Sequence, residues 1–362
     1  MKGDFVSRRF RQRGLSLVEM MVALLIGMLT VMVVVQLMSM YSGQQRSSRG
    51  VSDAQMNALL GLHAMEQDLR LAGHGLAAND LQNCVSTFTF YGNSAATSAA
   101  PIADFSTAAV SLTDGASGAP DTLVVRFAES VRGIRPVTLT ANAANNATSI
   151  SVDSTYGVLA NDLLLLVNGS NACALRRVTT VTSGTALAMA STGNPTYNPP
   201  SGVATGTPTW PGFANGNRVY ALGGFTLRRY AITAAGLVAR DMHSGTDTPI
   251  AADIVDLQAQ YGVSASSGSS LITQWVSATG GTWAAPTLAD RKRIRAVRIA
   301  LVARSAERAA GEVSPATIEL WPQATTGQTS EVQTFTVPDR NFRYRVLRSV
   351  IPMKNLLWAE LS

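Results

Sequence analysis

RGLSLVEMMVALLIGMLTVMVVVQLMSM, residues 13–40, places Gly14 directly before a long apolar run whose sole carboxylate is Glu19. A helix of about 20 such residues crosses the hydrocarbon of a bilayer. Ahead of it stand Lys2, Arg8, Arg9, Arg11 and Arg13 against Asp4, while only Arg46 and Arg49 follow closely. The positive-inside bias therefore keeps residues 1–14 cytoplasmic and sends the bulk of the chain across the membrane. An ordinary secretory signal has an apolar region of about 7–15 residues with its small cleavage residue after it. Here the run is longer and the small residue precedes it. A cut after Gly14 would remove the charges and leave the apolar helix on the mature protein.

A carboxylate four residues into such a helix costs several kcal/mol unless it is paired or protonated, so Glu19 asks for a partner. The alternative is a glutamate that snorkels to the headgroups. Composition agrees with an envelope protein: of 362 residues, 46% are hydrophobic and 14% charged. The net charge of +6 is concentrated in the leader, which carries four of the six. Arg291, Lys292, Arg293 and Arg295 form a small basic cluster, but no broad basic face with interleaved aromatics is readable, and nucleic acid is not the expected partner.

Helical periodicity continues beyond the membrane segment, with Val51, Ala54, Ala58, Leu62, Met65 and Leu69 at three- and four-residue steps until Gly73 and Gly75 stop it. One nearly continuous helix from Leu15 to Ala72 is expected, its second half amphipathic. Strands are expected at Thr122–Phe127, Leu163–Val167, Leu175–Val181, Phe225–Ile232, Leu237–Arg240, Ile254–Tyr261, Ile294–Val302, Val332–Val337 and Phe342–Ile351. The alternation from Arg293 to Ile299 suits a sheet with one wet face. Stretches 92–120, 183–217 and 264–288, rich in Gly, Ser, Thr, Ala and Pro, read as long loops. The fold class is α+β: a long N-terminal helix, membrane-spanning in its first half, packed on an antiparallel sheet with long loops.

The two cysteines, Cys84 and Cys173, have no metal-ligand spacing. In an oxidising compartment they are free to pair, which would restrict the unfolded chain by about 4–5 kcal/mol in the entropy picture; two unrelated buried thiols are the other reading.

The string Arg13-Gly14-Leu15-Ser16-Leu17-Val18-Glu19 resembles the class III signal of type IV prepilins, with Leu15 where phenylalanine is commonest. That resemblance implies cleavage after Gly14 by a prepilin peptidase, methylation of the new terminus at Leu15, and a role for Glu19 in subunit assembly through the α-amine of a neighbouring Leu15. Further strings narrow it to PilW-type minor pilins: Asp68-Leu69-Arg70-Leu71-Ala72-Gly73, Leu227-Arg228-Arg229-Tyr230, Leu257-Gln258-Ala259-Gln260-Tyr261-Gly262, Val297 to Ser305, Tyr344-Arg345-Val346, and Lys354-Asn355-Leu356 with Lys354 where arginine is usual. The implied organisation is a cleaved cytoplasmic leader (1–14), a transmembrane and filament-core helix (15–42), its amphipathic continuation (43–75) and a β-rich domain (76–362), periplasmic and then extracellular.

The resemblance implies a minor pilin that takes part in priming pilus assembly and in the tip complex, serving twitching motility and adhesion. Implied partners are other minor and major pilins, the prepilin peptidase, the inner-membrane assembly platform, a large tip adhesin, and membrane lipid before assembly. The implied location is the bacterial inner membrane and then the pilus. Alternatives are a J-like minor pseudopilin of type II secretion and a membrane-anchored periplasmic enzyme or binding protein. For the last, Asp241, His243, Ser244 and Asp247 invite a hydrolase reading but lack a nucleophile elbow and read as a polar turn. His63 and His74 have no ligand spacing, and Asp253 with Asp256 lacks a calcium loop and reads as a solvated face. No cofactor, metal, catalytic residue or small-molecule substrate is expected.

Overall fold

The computed structural model describes residues 16–76, 81, 83–130, 136–321, 329–330 and 333–359. The leader residues and the expected processing pair Gly14 and Leu15 lie outside these. Contacts divide the chain into two units, Met1–Gly50 and Val51–Ser362, with the division inside helix α1, Leu17–Leu71. In the first unit the described apolar side chains are exposed.

In the second unit, the helical stripe does what its spacing dictates: Ala54, Ala58, Leu62, Met65 and Leu69 are buried against sheet residues. The helix stops after Leu71 because Gly73 takes a positive φ of 78°, the left-handed C-terminal conformation that suits glycine. Two sheets receive this stripe. One has the strand order Asp247–Ala251, Gly236–Asp241, Phe225–Thr233, Thr122–Ala128, Val110–Thr113, all antiparallel. The other runs Thr329–Ser330, Gln274–Val276, Ile254–Val263, Ile294–Arg304, Tyr344–Pro352, antiparallel except for its first pair. Leu123, Val125, Tyr230, Leu257, Tyr261, Val297, Ile299 and Leu301 form one core with the helix.

A third five-stranded sheet, Ser86–Phe88, Ala172–Arg177, Leu163–Val167, Arg218–Gly223, Pro136–Thr138, packs on the opposite face of the first. Its central run Leu163–Val167 is apolar at every position because both faces are covered: Leu163, Leu165 and Val167 face one core, Leu164 and Leu166 another. Ser149–Ser151, Ala186–Ala188 and Thr180–Ser183 make a small sheet over that second core. Cys84 and Cys173 are joined by a disulfide, Cα–Cα 5.7 Å, that ties the segment after the helix to this third sheet.

Several expectations need correction. The three stretches read as loops hold the strands Val110–Thr113, Ala186–Ala188 and Gln274–Val276 and the short helices Ser201–Ala204 and Gly281–Ala284. Strands of three or four residues carry too little periodicity to show in the sequence. Leu175–Val181 is two strands, Ala172–Arg177 and Thr180–Ser183. The strand from Ile294 has no wet face: Arg295 is 2% exposed and Arg298 6%. Arg298 lies between the rings of Trp275 and Trp321, at 4.8 and 4.4 Å, and donates to Gln260 Oε1. Arg295 donates to the carbonyls of Ser267 and Ser269. Arginine alternation therefore marks a face covered by aromatics and loop carbonyls here. Asp256, read as solvated, is 2% exposed.

Candidate functional site

The first element is the start of α1. Leu17–Met38 is long and apolar enough to cross a membrane, and all of it is exposed. Its one hydroxyl is satisfied locally, since Thr30 Oγ1 donates to the carbonyls of Ile26 (2.8 Å) and Gly27 (2.9 Å). Glu19 sits in the first turn, where the helix dipole favours an anion, and makes no ion pair among the described residues. An apolar helix with every side presented and one carboxylate at its start needs surroundings from outside the chain: lipid, or the helices of other subunits.

The second element is a clasp on the end of the same helix, built within Val51–Ser362. Asp68, 7% exposed, accepts from Arg228 Nη1 and Tyr230 Oη, both at 2.7 Å. Arg228 and Tyr230 stand two apart on one strand and so point to the same face. Burial of the Tyr230 hydroxyl, and then the Asp68 charge beside it, raises its pKa. For Arg228 burial pulls downward, but the Asp68 charge together with the influence of Tyr230 and the Asp68 hydrogen bond outweighs it, so the guanidinium is held more firmly charged. Arg229, pointing the other way, pairs with Asp104.

Asn355 completes the clasp. Its Nδ2 donates to the carbonyls of Arg70 (3.3 Å), Leu71 (3.1 Å) and Ala72 (3.1 Å), three of the acceptors that a helix C-terminus leaves open. Gly73 N donates to Arg126 O at 2.9 Å, and Tyr261 Oη accepts from Leu112 N at 2.6 Å, linking the two helix-bearing sheets. Four strings far apart in the sequence thus converge: Asp68–Gly73, Leu227–Tyr230, Leu257–Gly262 and Lys354–Leu356. The sequence displayed each string but not their pairing, because residues 160 positions apart carry no periodic signal. The only legible hint was chemical: a helix-end aspartate and a strand Arg-x-Tyr are complementary.

Other candidates are not assembled. Ser244 Oγ donates to Asp241 Oδ2 at 2.8 Å and lies 3.0 Å from Thr246 Oγ1, while His243 Nδ1 lies 3.2 Å from the Tyr197 hydroxyl. A nucleophile–base pair is therefore not formed by Ser244 and His243. Asp247 pairs with Arg240 at 3.7 Å. His63 bonds Gln67 at 2.8 Å on the helix surface. Among the described residues no group of three His, Cys, Asp or Glu side chains is placed to hold a metal.

Comparison with known proteins agrees with the two elements. Residues 225–355 match the family described as Type IV Pilus-assembly protein W, and residues 9–35 match the Prokaryotic N-terminal methylation motif. The first match takes in Leu227–Tyr230, Leu257–Gly262 and Asn355, and the second takes in Gly14, Leu15 and Glu19; the helix-end string at Asp68 falls between them. No curated protein matches the chain. A prepilin-type N-terminus and a W-type pilus-assembly region thus lie on one α+β chain, which over these two stretches is similar to type IV pilus-related, pilin-like proteins.

Proposed function

We propose that the chain is a minor pilin that is cut after Gly14 by a prepilin peptidase and methylated at Leu15. It is then held in the inner membrane by Leu17–Met38 with Val51–Ser362 on the periplasmic side. Other pilins and the assembly platform then carry it into the filament, where it takes part in priming assembly and in the tip complex. The observation that carries this reading is the uniformly exposed apolar helix with one carboxylate, Glu19, in its first turn. Such a carboxylate in lipid or in a filament core is favoured only with a cation beside it, and the α-amine of a neighbouring subunit's Leu15 is of the right charge. This role is structural and needs no catalytic step.

The test is to replace Gly14 with valine and, separately, Glu19 with alanine in the cell of origin. Processing is read by mass spectrometry of the N-terminal peptide, and pili are counted by microscopy. Gly14→Val is expected to leave uncut precursor and few pili; Glu19→Ala is expected to be cut normally yet fail to support piliation. Normal processing of the Gly14 variant defeats the proposal. Deletion that abolishes exoprotein secretion but spares twitching assigns the chain to a type II secretion pseudopilus instead.

A further inference from the structure

A cleft of about 330 Å³ opens between the start of the strand Phe225–Thr233 and the loops that carry Tyr91 and Tyr197, lined by those two tyrosines, Phe225, His243, Glu129 and Asp241 among others. Its two carboxylates are fixed from below. Glu129 accepts from Thr226 Oγ1 and lies against the backbone of Gly224. Asp241 accepts from His243 N at 2.9 Å and from Ser244 Oγ at 2.8 Å. Neither has an ion-pair partner among the described residues. The one guanidinium in the lining, Arg228, is already engaged by Asp68.

The rings are likewise arranged. Tyr91 meets Tyr197 edge-on at 5.2 Å, and His243 is flanked by Tyr197 at 5.5 Å and Phe225 at 6.0 Å. Burial lowers the His243 pKa despite the nearby Asp241 and Glu129 charges, so at neutral pH the imidazole is uncharged and adds no competing cation. Two oriented anions, tyrosyl oxygens and a neutral imidazole around one space are complementary to an organic cation, which would gain charge-assisted hydrogen bonds without having to order the site.

We propose that this cleft binds a guanidinium or ammonium group, presented as the arginine or lysine side chain of a partner protein. The proposal stands apart from the pilin reading, since it concerns a pocket that neither the membrane helix nor the clasp uses. A partner side chain and a free metabolite such as a choline-like quaternary amine share the same charge but differ in donors: only the former can donate hydrogen bonds to both carboxylates.

The experiment is saturation-transfer NMR and titration calorimetry on the detergent-solubilised full chain, with N-acetyl-arginine methylamide, N-acetyl-lysine methylamide and tetramethylammonium as probes at fixed salt. Saturable binding of the capped arginine or lysine is expected, weakened at least tenfold in the Glu129→Gln/Asp241→Asn double variant. The Asp247→Asn variant, altered outside the cleft, should bind as the parent does. Thermal melting of each variant shows that the fold is kept, and Tyr91→Phe provides a milder probe should the double variant unfold. It is expected to weaken binding by removing one acceptor. Absence of saturable binding by either capped amino acid, affinity unchanged in the double variant and Tyr91→Phe, or tighter binding of tetramethylammonium than of both, would each overturn the proposal.

Discussion

Asp121 shows how much one side chain can set the response of the whole unit to pH. It is 1% exposed and accepts from Gly115 N (2.9 Å) and Ala259 N (2.8 Å). Burial, and then the neighbouring Asp114 and Asp256 charges, push its pKa from 3.8 to about 7 against the pull of those two amides. Asp256, likewise buried, is pushed to about 6 by loss of solvent. A carboxyl whose folded pKa exceeds its unfolded one stabilises the fold most below the unfolded value. That contribution is lost as pH rises from about 4 to about 7 and is constant beyond. At about 1.4 kcal/mol per unit, the loss from Asp121 is of the order of 4 kcal/mol. Chemical denaturation of the detergent-solubilised chain is therefore expected to show its midpoint falling between pH 4 and pH 7, with a shallower fall for Asp121→Asn. An equal slope in the variant would assign the pH response elsewhere.

At the scale of elements, the helix–sheet contact is set by its smallest residue. Gly61 sits on the buried stripe of α1, and a Cβ placed there would approach Leu237 Cδ2 to 2.8 Å and Leu301 Cδ1 to 3.4 Å. Helix propensity alone argues against glycine mid-helix by about 1 kcal/mol, so close approach to the two sheets is the compensating gain. Alanine displaces only the ends of flexible leucines and recovers propensity. Leucine has nowhere to go, and Gly61→Leu is expected to destabilise the Val51–Ser362 unit by about 1–3 kcal/mol, read as a lower melting temperature. A melting point unchanged by leucine would show that the helix lifts off its sheets freely. The stripe itself was legible in the sequence, as were most of the expected strands to within a few residues, because period-3.6 patterns, period-2 patterns and apolar runs survive over several positions; Leu175–Val181, which is two strands, was not. Three-residue strands such as Ala186–Ala188 and Gln274–Val276 were not, since a pattern needs length to exist.

For the molecule as a whole, one covalent tie joins the segment that leaves the helix to the third sheet. Cys84 and Cys173 are 89 positions apart, with a Cα separation inside the ordinary disulfide range. Closing a loop of that length limits the unfolded ensemble by about 4–5 kcal/mol in the entropy picture. The Cys84→Ser/Cys173→Ser variant should melt lower, and the parent should run faster on non-reducing than on reducing gels. Identical mobility and melting would mean that the thiols are not joined in the cell-made protein.

The sequence by itself determined the long apolar helix, the basic residues ahead of it, the buried stripe that follows and the family likeness, because each is a local pattern of charge or apolarity. Only the tertiary structure decided that Asp68, Arg228, Tyr230 and Asn355 clasp one helix end, that Arg295 and Arg298 are buried under tryptophans and loop carbonyls, and that Asp256 is hidden from solvent. These depend on which faces are covered, and coverage is fixed by strands and loops distant in the chain, about which the residues themselves carry no local record.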